Sequence, residues 1–311
     1  MSMETFELVE PFFSSADLIF LQGWGEPLLH PHFWEMASRA RRAGARVGFA
    51  TNGVLLHEVN RRALLETGVE VMGVSLAGAR PATQDRFREG SPLEAIDVNL
   101  VRLRWEKEAS GAAFPEIHLA YLLLAGNLEE VELAVDLAER WGVSDIVVSH
   151  LSPVLDPSLE EESLLADPRH WPHAQEIIEE ARVRAEAKGI RLHARAPAQD
   201  EPAPICEENV LASCFVSALG DVSPCVMTNV PIPSGTETAH HFRGREYPLE
   251  RFTFGNLRER SLPEIWRSEP ARAFRAVFRD RLRKGSGGVG SLPGPCRRCY
   301  KLLQVDMPNR K

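Results

Sequence analysis

The 311-residue chain lacks three features, and each absence narrows what it can be. It has no run of about 18 consecutive apolar residues, the length a membrane-spanning helix needs. Nor does it open with a charged head and an apolar middle, so neither membrane nor export is indicated and the expected location is cytoplasmic. Positive charge is not in excess: the formal net charge is -8. That leaves no basic stripe to follow a phosphate backbone and argues against nucleic acid as a partner. The short cluster Arg279, Arg281 and Arg283 does not reverse the balance. Cysteine is scarce as well. There are five, none before Cys206, too few for a disulfide framework and therefore read first as metal ligands.

What is present, over the first two thirds, is alternation. Short apolar runs at Leu18 to Gln22, Arg46 to Ala50, Glu70 to Leu76, Ile117 to Leu123, Asp145 to Ser149 and Ile190 to Ala194 predict strands. Amphipathic stretches between them, at His32 to Arg42, Leu56 to Glu66, Leu93 to Lys107, Leu128 to Trp141 and His173 to Lys188, predict helices. Gly44, Gly68, Gly142 and Gly189 each stand just past one of these helices, where a left-handed cap is wanted. Strand, helix, strand in this order means parallel pairing through right-handed crossovers, hence an open doubly wound sheet or a barrel. Both bind ligands at the C-terminal ends of the strands.

At one such end stands "GWGEP", residues 23–27. Gly23 and Gly25 allow backbone to come close to a ligand, and Glu26 offers a carboxylate to an ammonium group. A tight strand-to-helix turn explains the same five residues equally well. "TNG" closes the next strand, and "VSLAGARPATQDRFR" carries Ser75 at the end of the one after, with Arg88 on the helix that follows. Taken singly, Ser75 reads as a helix cap and Arg88 as a solvated charge. Their order along consecutive strands makes them candidates together. His30, His32 and His150, also near strand ends, leave a weaker reading as a metal-free α/β enzyme.

The last third changes character. "APAQDEPAPIC" is a Pro-rich connection of the kind that separates domains, so the expected division is 1–195 and 196–311. "CFVSALGDVSPC" reads as a hairpin turning at Gly-Asp. Cys206 lies upstream of it, Cys225 ends it, and Cys296 with Cys299 form "CRRC". Two such pairs supply four sulfurs, suited to zinc or to an iron-sulfur cluster. Cys214 sits mid-strand and reads as a structural thiol.

These stretches resemble one family. "GWGEPLLHP" is similar to the GGE motif of radical SAM enzymes, whose backbone and acid hold the amino group of S-adenosylmethionine. "CEENVLASCFVSALGDVSPC", "FGNLRERSLPEIW" and "PCRRC" resemble the SPASM or twitch extension of that superfamily, with Cys206, Gly220, Cys225, Gly255, Asn256, Leu257, Ile265, Trp266, Cys296 and Cys299 matching in order. The resemblance implies a partial (β/α)6 barrel followed by a small SPASM/twitch domain. In that domain Cys206, Cys225, Cys296 and Cys299 would hold an auxiliary [4Fe-4S] cluster. It implies S-adenosylmethionine as cofactor, held by Gly23, Gly25, Glu26, Ser75 and Arg88. The Asp-Gly that commonly follows the serine is here Ala77-Gly78.

One departure is larger. The family's Cys-x3-Cys-x2-Cys, which holds the cluster that reduces S-adenosylmethionine, is not in this sequence. The chain opens on "MSMETFELVEPFF", where Ser2 is a helix cap and Phe6, Val9 and Phe13 share one face. This reads as the helix after the first barrel strand, so the expectation is a barrel lacking that strand and its cluster loop. In complete form, the resemblance implies a 5'-deoxyadenosyl radical that takes a hydrogen atom from a peptide, a small molecule or a metalloenzyme-related substrate. An electron donor such as flavodoxin or ferredoxin is implied too. The alternative is a non-catalytic binding module, stabilised by zinc or iron-sulfur, on a degenerate barrel.

Overall fold

The computed structural model describes residues 1–195, 203–232, 237–285, 289–297, 299 and 301. Two compact units emerge: one comprises 13–151 and 161–196, the other 1–12, 152–160 and 197–311.

In the first unit, six parallel strands alternate with helices: β1 (Leu18–Phe20), β2 (Arg46–Thr51), β3 (Val71–Leu76), β4 (Glu116–Leu123), β5 (Asp145–His150) and β6 (Arg191–His193). Their order in the sheet is their order in the sequence. A doubly wound sheet reverses direction at a switch point, so this order selects the barrel over the other architecture the alternation allowed. Along β3 the side chains of Met72, Val74 and Leu76 are buried while Val71 and Ser75 are only half-buried. In β4 the same alternation buries Ile117, Leu119, Tyr121 and Leu123. One face therefore carries the core and the other stays open.

The helices supply the apolar cover. After the N-terminal α1 (Met3–Val9) come α2 (Phe33–Arg42), α3 (Glu58–Thr67), α4 (Pro81–Phe87), α5 (Leu93–Ser110), α6 (Val131–Trp141) and α7 (Trp171–Ala187). α2 buries Phe33, Met36, Ala37 and Ala40, a helical stripe, and α6 buries Val131, Ala134, Val135, Ala138 and Trp141. Gly68 and Gly142 cap α3 and α6 with φ of 68°, and Gly44 and Gly189 also take positive φ, as the sequence predicts. Between α3 and α5 the nearly buried Arg61 meets Glu106 through Nε and Nη2 at 2.8–3.0 Å. No helix among the described residues is long and apolar enough to cross a membrane.

The second unit is built from short pieces. The hairpin β7 (Phe215–Val216) and β8 (Asp221–Ser223) is antiparallel, and β11 (Gly255–Asn256) pairs with β8. β9 (Ala239–Phe242) and β10 (Arg245–Pro248) form a second hairpin. α8 (Leu262–Trp266) starts from a capping box, with Ser261 N and Oγ both donating to Glu264 Oε2, and α9 (Glu269–Lys284) follows. Phe252, Phe254, Phe274 and Phe278 form a continuous aromatic core, with ring centroids 5.3–5.9 Å apart. The turn of the first hairpin explains two matched residues. Gly220 has φ of 88°, and a Cβ there would stand 3.2 Å from Asn256 Oδ1. Asn256 reaches back to Leu219 O and Asp221 Oδ1 at 3.1 and 2.9 Å.

The division departs from the 1–195 and 196–311 expected. Helix α1 forms with its cap as read, Ser2 Oγ accepting from Thr5 N at 3.2 Å and Phe6 and Val9 buried. Yet it groups with the cysteine-bearing residues, because Arg258 reaches Thr5 Oγ1 and the Thr5 methyl lies beside Gly220. The 152–160 stretch joins the same unit through Val154, whose N donates to His240 Nδ1 and whose O accepts from His241 N, both at 2.9 Å.

Candidate functional site

The turn after β1 and the turn after β2 are joined by one side chain. Glu26 Oε1 accepts from Leu28 N at 3.1 Å and from Thr51 Oγ1 at 2.8 Å, and Oε2 accepts from Asn52 N at 2.7 Å. The acid thus ties "GWGE" to "TNG" and leaves the glycine backbone facing outward: Gly23 and Gly25, the latter with φ of 152°, are both exposed.

Ser75 lies near the end of β3 on the open face, opposite Ala120. The loop beyond it is fixed from three sides. Gln84 Oε1 accepts from Ala77 N at 2.9 Å, and Asn127 Nδ2 donates to Ala77 O at 2.8 Å. Glu130 accepts from Ala79 N, Arg80 N and Thr83 Oγ1 at 2.5–3.0 Å, capping the start of α4. Gly78 is required by this closure, since a Cβ there would meet Gln84 N at 2.4 Å. Gln84, Asn127 and Glu130 were not singled out from sequence; their partners lie up to 51 residues away, and nothing local separates Glu130 from the adjacent Glu129.

Arg88 stands one residue past α4 as its C-cap, rather than on the helix as expected. Its Nε is buried and makes no hydrogen bond. Burial pulls the guanidinium below its ordinary pKa, and the Glu26 carboxylate opposes that shift. The structure therefore brings Arg88 and Glu26 to one rim at the C-terminal ends of the strands. A buried, unpaired donor beside exposed glycine backbone suits an anionic or carbonyl oxygen of a ligand. The histidines do not join it. His32 pairs with Glu35 at 3.1 Å, His30 accepts from His32 N, and His150 contacts Arg195 O at 2.9 Å. A separate cavity of about 310 Å³, lined by Glu116, His118, Asp145, Arg191 and His193 among others, lies at the opposite, N-terminal ends of the strands.

In the other unit all five cysteines are free thiols. Burial pushes the Cys206 thiol up to about 11 and the Cys299 thiol to about 12, and raises Cys225 and Cys296. Cys296 and Cys299 each feel both Cys206 and Cys225, so the two pairs, far apart in sequence, converge. Three of the four also receive backbone N–H groups: Cys206 from Glu208, Cys225 from Thr228 and Met227, and Cys299 from Lys301. Such amides favour an anionic sulfur, the form that binds metal. Cys214 is different, for it feels Arg275 and none of the other thiols. The donor set fits a thiolate-bound metal centre. Among the described residues no three His, Cys, Asp or Glu are close enough to share one ion.

Residues 206–300 match the SPASM family, an iron-sulfur cluster-binding domain. The chain is 25% identical over 276 residues to the tungsten-containing aldehyde ferredoxin oxidoreductase cofactor-modifying protein of Pyrococcus furiosus, covering 87% of this chain and 72% of the relative. It is 28% identical over 302 residues to the AdoMet-dependent heme synthase of Methanosarcina barkeri, covering 91% and 76%. Over most of its length the chain is thus similar to radical SAM-type proteins, and its C-terminal part to their SPASM domain. The fold agrees. A solved structure of native anSMEcpe with bound AdoMet aligns over 98% of this chain and 79% of its own, with a TM-score of 0.62 at 14% identity. Streptococcus suis SuiB bound to S-adenosylmethionine aligns over 89% and 61%, with a TM-score of 0.60 at 12% identity. The chain thus spans about three quarters of those curated relatives and 61% of SuiB.

Proposed function

We propose that this chain is the S-adenosylmethionine-binding and auxiliary-cluster-binding part of a radical SAM/SPASM enzyme acting on a peptide or a cofactor-type small molecule. The convergence of Cys206 and Cys225 with Cys296 and Cys299 carries the reading. Those four thiolates would hold a [4Fe-4S] cluster, while Cys214 stays outside it. On the rim, the outward backbone of Gly23 and Gly25 would take the cofactor's amino group, with Glu26 holding that backbone in place. Arg88 would direct its unpaired Nε to a cofactor oxygen, and Ser75 would line the open face beside it. When reduced by one electron, S-adenosylmethionine supplies a carbon-centred radical, and the open face of the sheet is where a substrate would be shielded from water.

The substrate class is supported by the relatives. They include a protein named as modifying a metalloenzyme cofactor, a heme synthase, and a PqqA peptide cyclase of Streptomyces rochei at 26% identity. SuiB has also been solved with its precursor peptide SuiA. An electron donor of the flavodoxin or ferredoxin type completes the proposal. The zinc-stabilised binding module is not favoured by these similarities.

Titration calorimetry with S-adenosylmethionine tests the rim. Weak binding is expected, removed by Arg88→Ala, because only protein contacts are available. No binding, or binding unchanged in that variant, would contradict the assignment. Reductive cleavage is expected to be undetectable for this 311-residue chain, since no cysteine stands before Cys206. Formation of 5'-deoxyadenosine would show that thiols assigned here to the auxiliary cluster serve another role.

A further inference from the structure

Arg281 on α9 is only 2% exposed, although the sequence presents it as one of a charged trio. Its guanidinium donates to three neutral oxygens among the described residues, besides further contacts. Nε donates to Pro204 O at 3.2 Å, Nη2 to Ala203 O at 3.0 Å, and Nη1 to Ser291 Oγ at 2.6 Å. Ala203 and Pro204 lead directly into Cys206, and Ser291 leads into Cys296 through Leu292, whose O accepts from Arg297 Nε at 2.9 Å. One buried side chain therefore ties together the two stretches that deliver thiols from opposite ends of the unit. Its charge also reaches the set, for Arg281 and Cys296 interact electrostatically. Lys301, beside Cys299, is in an ion pair with Glu208.

Resting on the iron-sulfur assignment above, we propose that Arg281 is a positioning residue for the cluster that fixes the Cys206 and Cys296 segments against each other and raises the cluster's reduction potential. A reduced cluster carries one more negative charge than an oxidised one. A buried cation nearby stabilises the reduced form, because Coulomb interactions are weakly screened away from water, and cluster potentials respond to nearby charge and hydrogen bonding. The two roles separate by substitution. Lysine keeps the charge and loses the three-way hydrogen bonding, whereas glutamine keeps a donor and loses the charge.

The test is a potentiometric titration of the anaerobically reconstituted full chain, followed by electron paramagnetic resonance, with iron loss to a chelator measured in parallel. Arg281→Gln is expected to shift the reduction equilibrium about tenfold against the reduced form, which is about 59 mV for one electron. Arg281→Lys is expected to titrate close to wild type but to lose iron several-fold faster. Wild-type and Gln clusters titrating at one potential would overturn the proposal. So would a Lys variant shifted from wild type by about 59 mV or more, a comparison that stands even where the Gln protein fails to load. Wild-type protein that takes up no iron would instead remove the cluster assignment on which the proposal rests.

Discussion

The two units hold their polar groups in opposite ways. Around the rim of the sheet, side chains and backbone satisfy one another: Glu26 spans two turns, and Gln84, Asn127 and Glu130 lock the loop after β3. The strands behind them run three to eight residues, and the central β3 and β4 bury one face. In the cysteine-bearing unit the described strands are two to four residues long, and the thiols, buried at Cys206 and Cys296 and half-buried at the others, have no disulfide between them. The first unit ties its rim with its own hydrogen bonds, Arg88 Nε excepted, whereas the proposed cross-link of the second is a metal centre. Stability should therefore divide along the same line.

Removing the metal is the largest perturbation expected. Metal–thiolate binding in small domains is worth on the order of 10 kcal/mol of folding free energy. Iron-free protein should lose amide-exchange protection across residues 203–297 while the sheet unit keeps its own. Equal loss in both units would break the contrast. Next in size is Arg61→Ala, which strands Glu106 and should cost about 3–5 kcal/mol, lowering the melting temperature of the sheet unit with iron content unchanged. A change in iron content would show that the units are not independent.

Smaller effects sharpen the picture of the rim. Glu26→Ala removes three hydrogen bonds at once and should cost about 2 kcal/mol, together with S-adenosylmethionine binding. Glu26→Gln should recover part of the stability, because its amide oxygen still accepts. Retained ligand binding in Glu26→Ala would separate the turn from the site. The smallest effect is one of pH. Burial lowers the His118 pKa, with Asp145 opposing, so the unfolded chain takes up this proton first. Stability is then greatest above the ordinary histidine value of about 6.5 and falls as pH drops below it toward the folded value. Chemical denaturation between about pH 7 and 5 should show a shallower slope for His118→Asn than for wild type. Identical slopes would exclude His118 as the source.

Much of the sheet unit was legible in sequence, because parallel strands buried by helices are written as near-continuous apolar runs. Predicted and observed strands agree within two residues at each end, as with Ile117 to Leu123 against Glu116–Leu123. The β7–β8 hairpin was legible from its Gly-Asp turn. The β9–β10 hairpin was not, because its two-residue loop puts Arg243 at φ 53° before Gly244 at 68°, where Asn or Asp is the usual signal. The grouping of α1 with the C-terminal residues is not legible either, since its partners Gly220 and Arg258 lie more than two hundred positions away. At the rim, Glu26 is legible from its motif but its bonds to Thr51 and Asn52 are not. The buried tie at Arg281 has no local pattern at all: its position in α9 looks like one more exposed arginine.

The central claim is that Cys206, Cys225, Cys296 and Cys299 form one iron-sulfur site from which Cys214 is excluded. Iron and sulfide analysis of anaerobically reconstituted protein, with absorption near 400 nm, tests it most directly. Wild type and Cys214→Ala are expected to hold about four irons per chain, and Cys225→Ala or Cys299→Ala to lose the cluster. Stoichiometric zinc without iron uptake, or loss of the cluster in Cys214→Ala, would contradict the account.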